Sequence, residues 1–170
     1  MRIELDSLEG KEARFAYAYD DREFALDDER VRLAQPPEIR GRLIRVGNQV
    51  LLKGRLSARA QVDCDRCLKP VEVQVATEFS LPYVTAEDYE SIHAAELEEA
   101  DMALSVFDGA AIDIDDVVRE QVLLAMPERA LCREDCKGLC LVCGSDRNLQ
   151  ECDCEPKQID PRLAVLKDLR

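Results

Sequence analysis

Six of the chain's eight cysteines fall in one stretch, Leu131 to Glu155, reading LCREDCKGLCLVCGSDRNLQECDCE. A segment this rich in thiols has too little apolar core of its own, so cross-links must hold it together. Cys140 and Cys143 form a CxxC pair followed directly by Gly144. This is the knuckle in which backbone amides turn back toward the thiolates and glycine relaxes the turn. Cys132, Cys136, Cys152 and Cys154 add pairs spaced by three residues and by one. A tetrahedral Zn²⁺ takes four soft ligands, commonly from two such pairs, with bonds to thiolate of about 2.3 Å. Six candidates exceed one site by two.

A disulfide framework is the alternative, and it suits small secreted domains. The chain opens MRIELDSLEG, without the basic start and apolar run of a signal peptide. The expectation is therefore a cytoplasmic protein with reduced thiols, holding zinc or, as a second alternative, redox-active without metal. No apolar stretch approaches the roughly 20 residues that a membrane span requires.

The 170 residues can bury one core, with 46% hydrophobic and 35% charged residues and no tryptophan. A net charge of −13 argues against nucleic acid until its distribution is considered. Between Ala86 and Asp116 stand eleven acids and no Lys or Arg, so this segment accounts for −11 of the −13. Ile39 to Val62 carries six bases (Arg40, Arg42, Arg45, Lys53, Arg55, Arg59) and no acid. Charge is segregated along the chain.

Hydrophobic periodicity predicts the elements. Met1 to Asp6 and Glu12 to Tyr19 alternate as strands or a strand pair about a Glu9-Gly10 turn, Asp20 to Arg30 reads as a charged loop, and Pro36-Pro37 punctuates the chain. From Leu51 to Val62 the alternation places Lys53, Arg55, Ser57, Arg59 and Gln61 on one face and Leu52, Leu56, Ala58, Ala60 and Val62 on the other. Val71, Val73, Val75, Thr77 and Phe79 repeat the inward pattern, which predicts an antiparallel hairpin with Cys64-Asp65-Arg66-Cys67 at its tip. Ala86 to Ala100 reads as a mobile acidic insertion with a helical turn around Ile92 to Leu97. A helix over about 113–126 follows, capped by Asp113, apolar at Ile114, Val117, Val118, Val122 and Ala125, and stopped by Pro127. Asp160 and Pro161 open a short terminal helix with Leu163, Leu166 and Leu169.

The hairpin-tip CDRCL of 64–68, the helix with Glu120-Gln121 at its centre, the CKGLC of 136–140 followed by Cys143-Gly144, the Cys152-Asp153-Cys154 and the Asp160-Pro161-Arg162 together resemble the YceD family of large ribosomal RNA subunit accumulation proteins. The resemblance covers almost the whole chain. It implies a role in accumulation or processing of large-subunit, 23S-type ribosomal RNA without an established catalytic activity. The chain departs from the family pattern at Leu141, where proline is common, and at Ser145-Asp146-Arg147-Asn148, where an Asn-Leu-Asn-like turn is typical. Neither departure removes a thiol.

The expected architecture is α+β: an antiparallel β-rich main domain over 1–127, a curled sheet or partial barrel, with an acidic insertion at about 86–111 and the packing helix, then a Cys-rich zinc-binding tail over 128–170. The candidate metal ligands are Cys132, Cys136, Cys140, Cys143, Cys152 and Cys154, with Cys64 and Cys67 as a possible second pair. One arrangement of two sites groups Cys132, Cys136, Cys140 and Cys143 apart from Cys64, Cys67, Cys152 and Cys154; one site with spare thiols is the simpler choice. Structural zinc is favoured over catalytic zinc, because the only histidine, His93, sits in the acidic segment. Arg42, Lys53, Arg55 and Arg59 are the candidate RNA contacts, weighed against a solvated face paired with Glu72 and Glu78. The expected partners are large-subunit ribosomal RNA or a ribosomal protein, with neither membrane nor small-molecule substrate. The competing functions are a metal-dependent RNA-processing enzyme and a cytosolic thiol redox or zinc-storage protein.

Overall fold

The computed structural model describes residues 1–5, 12–93 and 103–155. The chain divides into two compact units, Met1–Val62 with Glu72–Glu128, and Asp63–Val71 with the chain from Arg129 onward. The first is built on five strands: β2 (Glu12–Ala18), β3 (Val31–Val46), β4 (Gln49–Asp63), β5 (Pro70–Thr85) and β6 (Ser105–Phe107), hydrogen-bonded in that order. Two further strands, β1 (Arg2–Glu4) and β7 (Ala111–Asp113), form a separate antiparallel ribbon. The helices are α1 (Ala86–His93) and α2 (Ile114–Leu124).

Alternation in β4 and β5 sorts side chains as the sequence requires. Leu52, Leu56, Ala60 and Val75 are buried, and Lys53, Arg55, Arg59 and Glu78 are exposed. Ile39 and Leu43 of β3 join that inner face, and α2 packs against β1 and β3 with Ile114, Val117, Val118 and Val122 buried. Asp113 caps α2 by accepting from the Asp115 amide at 2.9 Å, and Asp115 and Asp116 meet the positive end of the helix dipole.

One cross-strand position is unusual. Gly41 of β3 faces Gly54 of β4 on the inner face. A Cβ on Gly41 would lie 2.8 Å from Phe15 Cζ and 2.7 Å from the Lys53 carbonyl oxygen, and a Cβ on Gly54 would lie 2.6 Å from Phe79 Cζ. Two phenyl rings therefore occupy the space that side chains would take, an aromatic cover for a pair that would otherwise weaken both strands.

The structure corrects several expectations. The sheet is neither curled nor closed into a barrel. Closure requires the outer strands to pair, yet here the two edges are β2 and β6, while β1 and β7 pair with each other instead. The sheet is also mixed, because β6 joins β5 in parallel from Tyr83↔Ser105 to Thr85↔Phe107. The chain leaves β5 through α1, and a crossover of that kind returns a strand in the same direction. Met1–Asp6 and Glu12–Tyr19 do not pair with one another: β1 meets β7 and β2 meets β3. The Glu9-Gly10 turn lies outside the described residues, as do the stretch 94–97 of the expected helical turn and the terminal helix from Asp160. Pro36-Pro37 does not end a strand but lies within β3. The register with β4 shifts between Leu33 and Gln35 and between Gln35 and Glu38, and β2 pairs only from Glu38 onward, so neither missing N–H interrupts a ladder. The acidic stretch holds α1, β6 and the start of β7 in its described parts.

Gly41→Ala is expected to cost about 1–3 kcal/mol through overpacking against Phe15 and the β4 backbone. A lowered urea midpoint at unchanged slope would show it; an unchanged midpoint would contradict the packing described.

Candidate metal centre and cationic sheet face

The second unit begins at the tip of the β4–β5 hairpin. Cys64 and Cys67 stand on a tight turn in which the Leu68 amide donates to the Cys64 carbonyl at 2.9 Å and the Cys64 amide donates to the Lys69 carbonyl at 2.8 Å. Leu68 takes the left-handed conformation, φ 60°. Cys140 and Cys143 repeat this turn: the Gly144 amide donates to the Cys140 carbonyl at 2.9 Å, the Cys140 amide donates to the Ser145 carbonyl at 2.8 Å, and Gly144 has φ 75°. The two CxxC segments are thus the same knuckle, one closed by glycine and one by a leucine that bears a strain of about 1–2 kcal/mol.

Each knuckle is completed by a second pair. Cys64 and Cys67 meet Cys132 and Cys136, and Cys140 and Cys143 meet Cys152 and Cys154, with the four sulfurs of each set all within 4.8 Å of one another. In the first set Cys64 Sγ lies 3.9 Å from Cys136 Sγ, and Cys67 Sγ lies 3.5 Å from Cys132 Sγ. Four sulfurs around one tetrahedral ion at bonds of about 2.3 Å stand roughly 3.8 Å apart, so the spacing fits. Cys64, Cys67 and Cys136 are buried, with Val71, Leu131 and Leu139 packed beside them. The second set is more open, with Cys143 exposed.

Backbone and side-chain donors point at these sulfurs. The Cys132 amide donates to Cys64 Sγ and Asn148 Nδ2 to Cys136 Sγ, each at 3.4 Å; the Val142 amide donates to Cys140 Sγ, also at 3.4 Å. Burial pushes the Cys64 thiol up, but the amides of Cys132, Arg66 and Cys67 outweigh it and bring its pKa down to about 6. The Ser145 hydroxyl and amide bring Cys143 to about 6. Against them, the contact with Cys67 raises Cys132 to about 12, and the contact with Cys143 raises Cys154 to about 12. Four sulfurs this close cannot all lose their protons unless a cation shares the space. Each set could hold one metal ion, and the all-thiol donors select a soft, tetrahedral one.

A short hairpin links the sets. Gly138 has φ 72°, a Cβ there would lie 2.8 Å from the Arg66 carbonyl oxygen, and that oxygen accepts from the Leu139 amide at 2.9 Å. Leu139 bridges Asp146 across the hairpin, and the Arg147 amide donates to the Gly138 carbonyl at 2.9 Å. Asn148 Oδ1 accepts from the Lys137 amide at 2.8 Å and from Arg133 at 2.7 Å. Lys69 pairs with Asp146 at 2.7 Å, and its ammonium, aided by the Asn148 amide, holds the Asp146 carboxyl down to about 2.

The arrangement differs from the grouping weighed on sequence. Cys132 and Cys136 belong with the hairpin-tip pair, and Cys152 and Cys154 with the second knuckle. All eight thiols fall into these two sets of four, which differ from the two-site grouping weighed on sequence. Sequence reasoning passed over Arg66, Lys69, Asp146 and Asn148, which hold the frame; the Asp-x-Asn run just after CxxCG was the available signal, since such side chains cap tight turns.

On the outer face of the five-stranded sheet, Arg42, Lys53 and Arg55 line one groove of about 690 Å³, together with Arg14 and with Arg40, a base of the acid-free stretch that was not among the candidate RNA contacts. Arg59 stands apart, opposite Gln35 and four residues beyond Arg55, about 13 Å along the strand. Arg55 pairs with Glu78 at 2.8 Å, and Glu12 receives Arg14 at 3.0 Å and Arg42 at 3.8 Å. Among the described residues no carboxylate pairs with Arg40 or Lys53. No helix among them is long and apolar enough to cross a membrane.

Comparison with known proteins places these features in a family. An uncharacterized protein of Mycobacterium tuberculosis is 34% identical over 126 residues, covering 73% of this chain and 57% of that protein. Bacillus subtilis YlbN, also uncharacterized, is 29% identical over 140 residues, 82% of this chain and 77% of its own length. The large ribosomal RNA subunit accumulation protein YCED homolog 1, chloroplastic, of Arabidopsis thaliana is 39% identical over 59 residues, 35% of this chain and 18% of that protein. The chain thus spans little more than half the length of the mycobacterial relative. No solved structure matches. The family described as large ribosomal RNA subunit accumulation protein YceD matches residues 52–170, a range that holds β4 from Leu52 onward, β5, α2 and all eight cysteines, and the chain belongs to that family.

Proposed function

We propose that the chain is a non-catalytic factor in the accumulation and processing of large-subunit, 23S-type ribosomal RNA, working in the cytoplasm through contacts to that RNA or to a ribosomal protein. Family membership over residues 52–170 is the observation that carries this reading. Plant relatives in Arabidopsis thaliana and Zea mays bear the name large ribosomal RNA subunit accumulation protein. Each thiol cluster holds a structural Zn²⁺, which supplements the small apolar cluster of Val71, Leu131 and Leu139 beside the first set. A hydrolytic metal keeps an open coordination position, whereas the eight thiols divide into two complete sets of four, which disfavours the RNA-processing enzyme. Arg42, Lys53 and Arg55 make the RNA contact, with Arg59 at its margin.

Protein purified without chelator is expected to carry two zinc ions per chain, and their removal to unfold the second unit, read by elemental analysis and near-ultraviolet dichroism. Asn148→Ala, which deletes donors to Cys136 Sγ and the acceptor for Lys137, is expected to weaken metal affinity about 10–100-fold in a chelator competition. One zinc or none per chain would sink the two-site reading.

In cells, crosslinking followed by sequencing of bound RNA is expected to give sites clustered on large-subunit ribosomal RNA. A folded Lys53→Glu, Arg55→Glu variant should lose them. Background RNA with protein crosslinks retained would instead make the chain an adaptor that reaches the subunit through a protein.

A further inference from the structure

We propose that the groove on the outer face of the sheet binds the sugar-phosphate backbone of helical RNA, in preference to single strands. This rests on ribosomal RNA as the ligand and specifies which form of it the face accepts.

The groove is walled by Arg14, Arg40, Arg42, Lys53 and Arg55, and two carboxylates stand at it: Glu78, paired with Arg55, and Glu12, which Arg14 and Arg42 share. Strand register puts like charges directly opposite each other three times: Arg14↔Arg42, Arg42↔Lys53 and Arg40↔Arg55. Such pairs destabilise a sheet, because directly opposed side chains stand about 4.5–5.5 Å apart at Cβ. Folding alone gives no reason to line up five cations in this way, whereas a polyanion does. The carboxylates nearby are weak competitors. The Arg55–Glu78 pair is 77% and 70% exposed, and exchange of Glu78 for a phosphate sacrifices little. In a chain of net charge −13, this face is the place where a phosphate backbone meets positive charge on rigid strands.

The form of the RNA follows from what the face lacks and what it offers. Proteins that hold single strands stack bases on aromatic rings. Here Phe79 lines the groove, but its ring, like that of Phe15, lies where the Cβ atoms of Gly54 and Gly41 would be, on the inner face. The outer face presents guanidinium groups, an ammonium and the Ser80 hydroxyl. These donors suit phosphates and 2′-hydroxyls displayed by an A-form helix, and they read shape without sequence.

Fluorescence anisotropy of the full chain tests this, with an RNA hairpin stem of about 16 base pairs and arbitrary sequence compared with an unstructured strand of equal length. The stem is expected to bind at least about tenfold more tightly, and five phosphate contacts imply a loss of a few hundred-fold between about 50 and 200 mM salt. The Arg14→Glu, Arg40→Glu variant should lose about tenfold or more at an unchanged melting temperature, whereas Arg14→Lys, Arg40→Lys should keep its binding. Equal or tighter binding of the single strand overturns the proposal, as does a Glu variant that binds the stem like the parent. No stem binding by a protein that still co-sediments with large-subunit precursors overturns the groove assignment and leaves the accumulation role standing. Stem binding without any such co-sedimentation does the reverse.

Discussion

Repulsion among neighbouring thiolates governs the second unit. Cys64, Cys67 and Cys136 are buried at 0%, 5% and 2% exposure, and the apolar side chains packed against them among the described residues are Val71, Leu131 and Leu139. That is far less surface than a unit of this size needs to hold itself by burial. Amides from Cys132, Arg66 and Cys67 nonetheless stabilise negative charge on Cys64, while the contact with Cys67 drives Cys132 to about 12. Such a frame suits an anionic sulfur set that a cation could complete. Its other parts, from the Asp65 carboxylate receiving the Ala130 amide to Arg66 donating to the Cys136 carbonyl at 2.7 Å, serve to keep those sulfurs converged.

The first unit follows a different logic, that of a half-buried sheet. Alternation buries one set of residues in β3 and β4, with α2 packed against β3, and leaves the other in water, and the bases occupy the outer set. Segregation of charge along the chain therefore becomes segregation in space. The acids of α1 and the first turn of α2 satisfy helix N-termini instead of neutralising the strands. The flat floor beneath the cations depends on the inner face, where Phe15 and Phe79 fill the places of two absent side chains. A larger residue at Gly41 or Gly54 would push against a ring or a neighbouring carbonyl and disturb the strands that carry Arg40, Arg42, Lys53 and Arg55.

How much of this was legible differed by interaction type. Local periodicity identified β4, β5 and α2 together with its Asp113 cap, because a strand with one wet face and a helix with an apolar stripe write their burial directly into the residue order. Pairings between distant segments left no such trace. Nothing in the three-residue runs Arg2–Glu4 and Ala111–Asp113 marks them as partners, and β6 is too short to show a period. The charges of Arg14 and Arg40 were visible, but only register places them beside Arg42 and Arg55. For the cysteines, composition announced the donor set and withheld its partition. The first knuckle was hidden by Leu68, which takes a left-handed conformation that usually calls for glycine and so disguises a turn identical to the one at Gly144.

The partition matters because it makes the two clusters unequal and joins them. The base of the 139–146 hairpin is assembled from groups of the first cluster: Arg66 accepts Leu139, Asn148 contacts Cys136, and Lys69 holds Asp146. Cys140 and Cys143 stand at its far end. An ion held by Cys64, Cys67, Cys132 and Cys136 would therefore also fix the base from which half of the second thiol set projects, and a second ion would bind with part of its ordering cost already met. By linkage an ion in the second site stabilises the first to the same extent. The second cluster is the less buried one, yet the hairpin that carries its knuckle rests on groups of the first. The buried knuckle at the hairpin tip is for this reason the structural root of the whole Cys-rich segment.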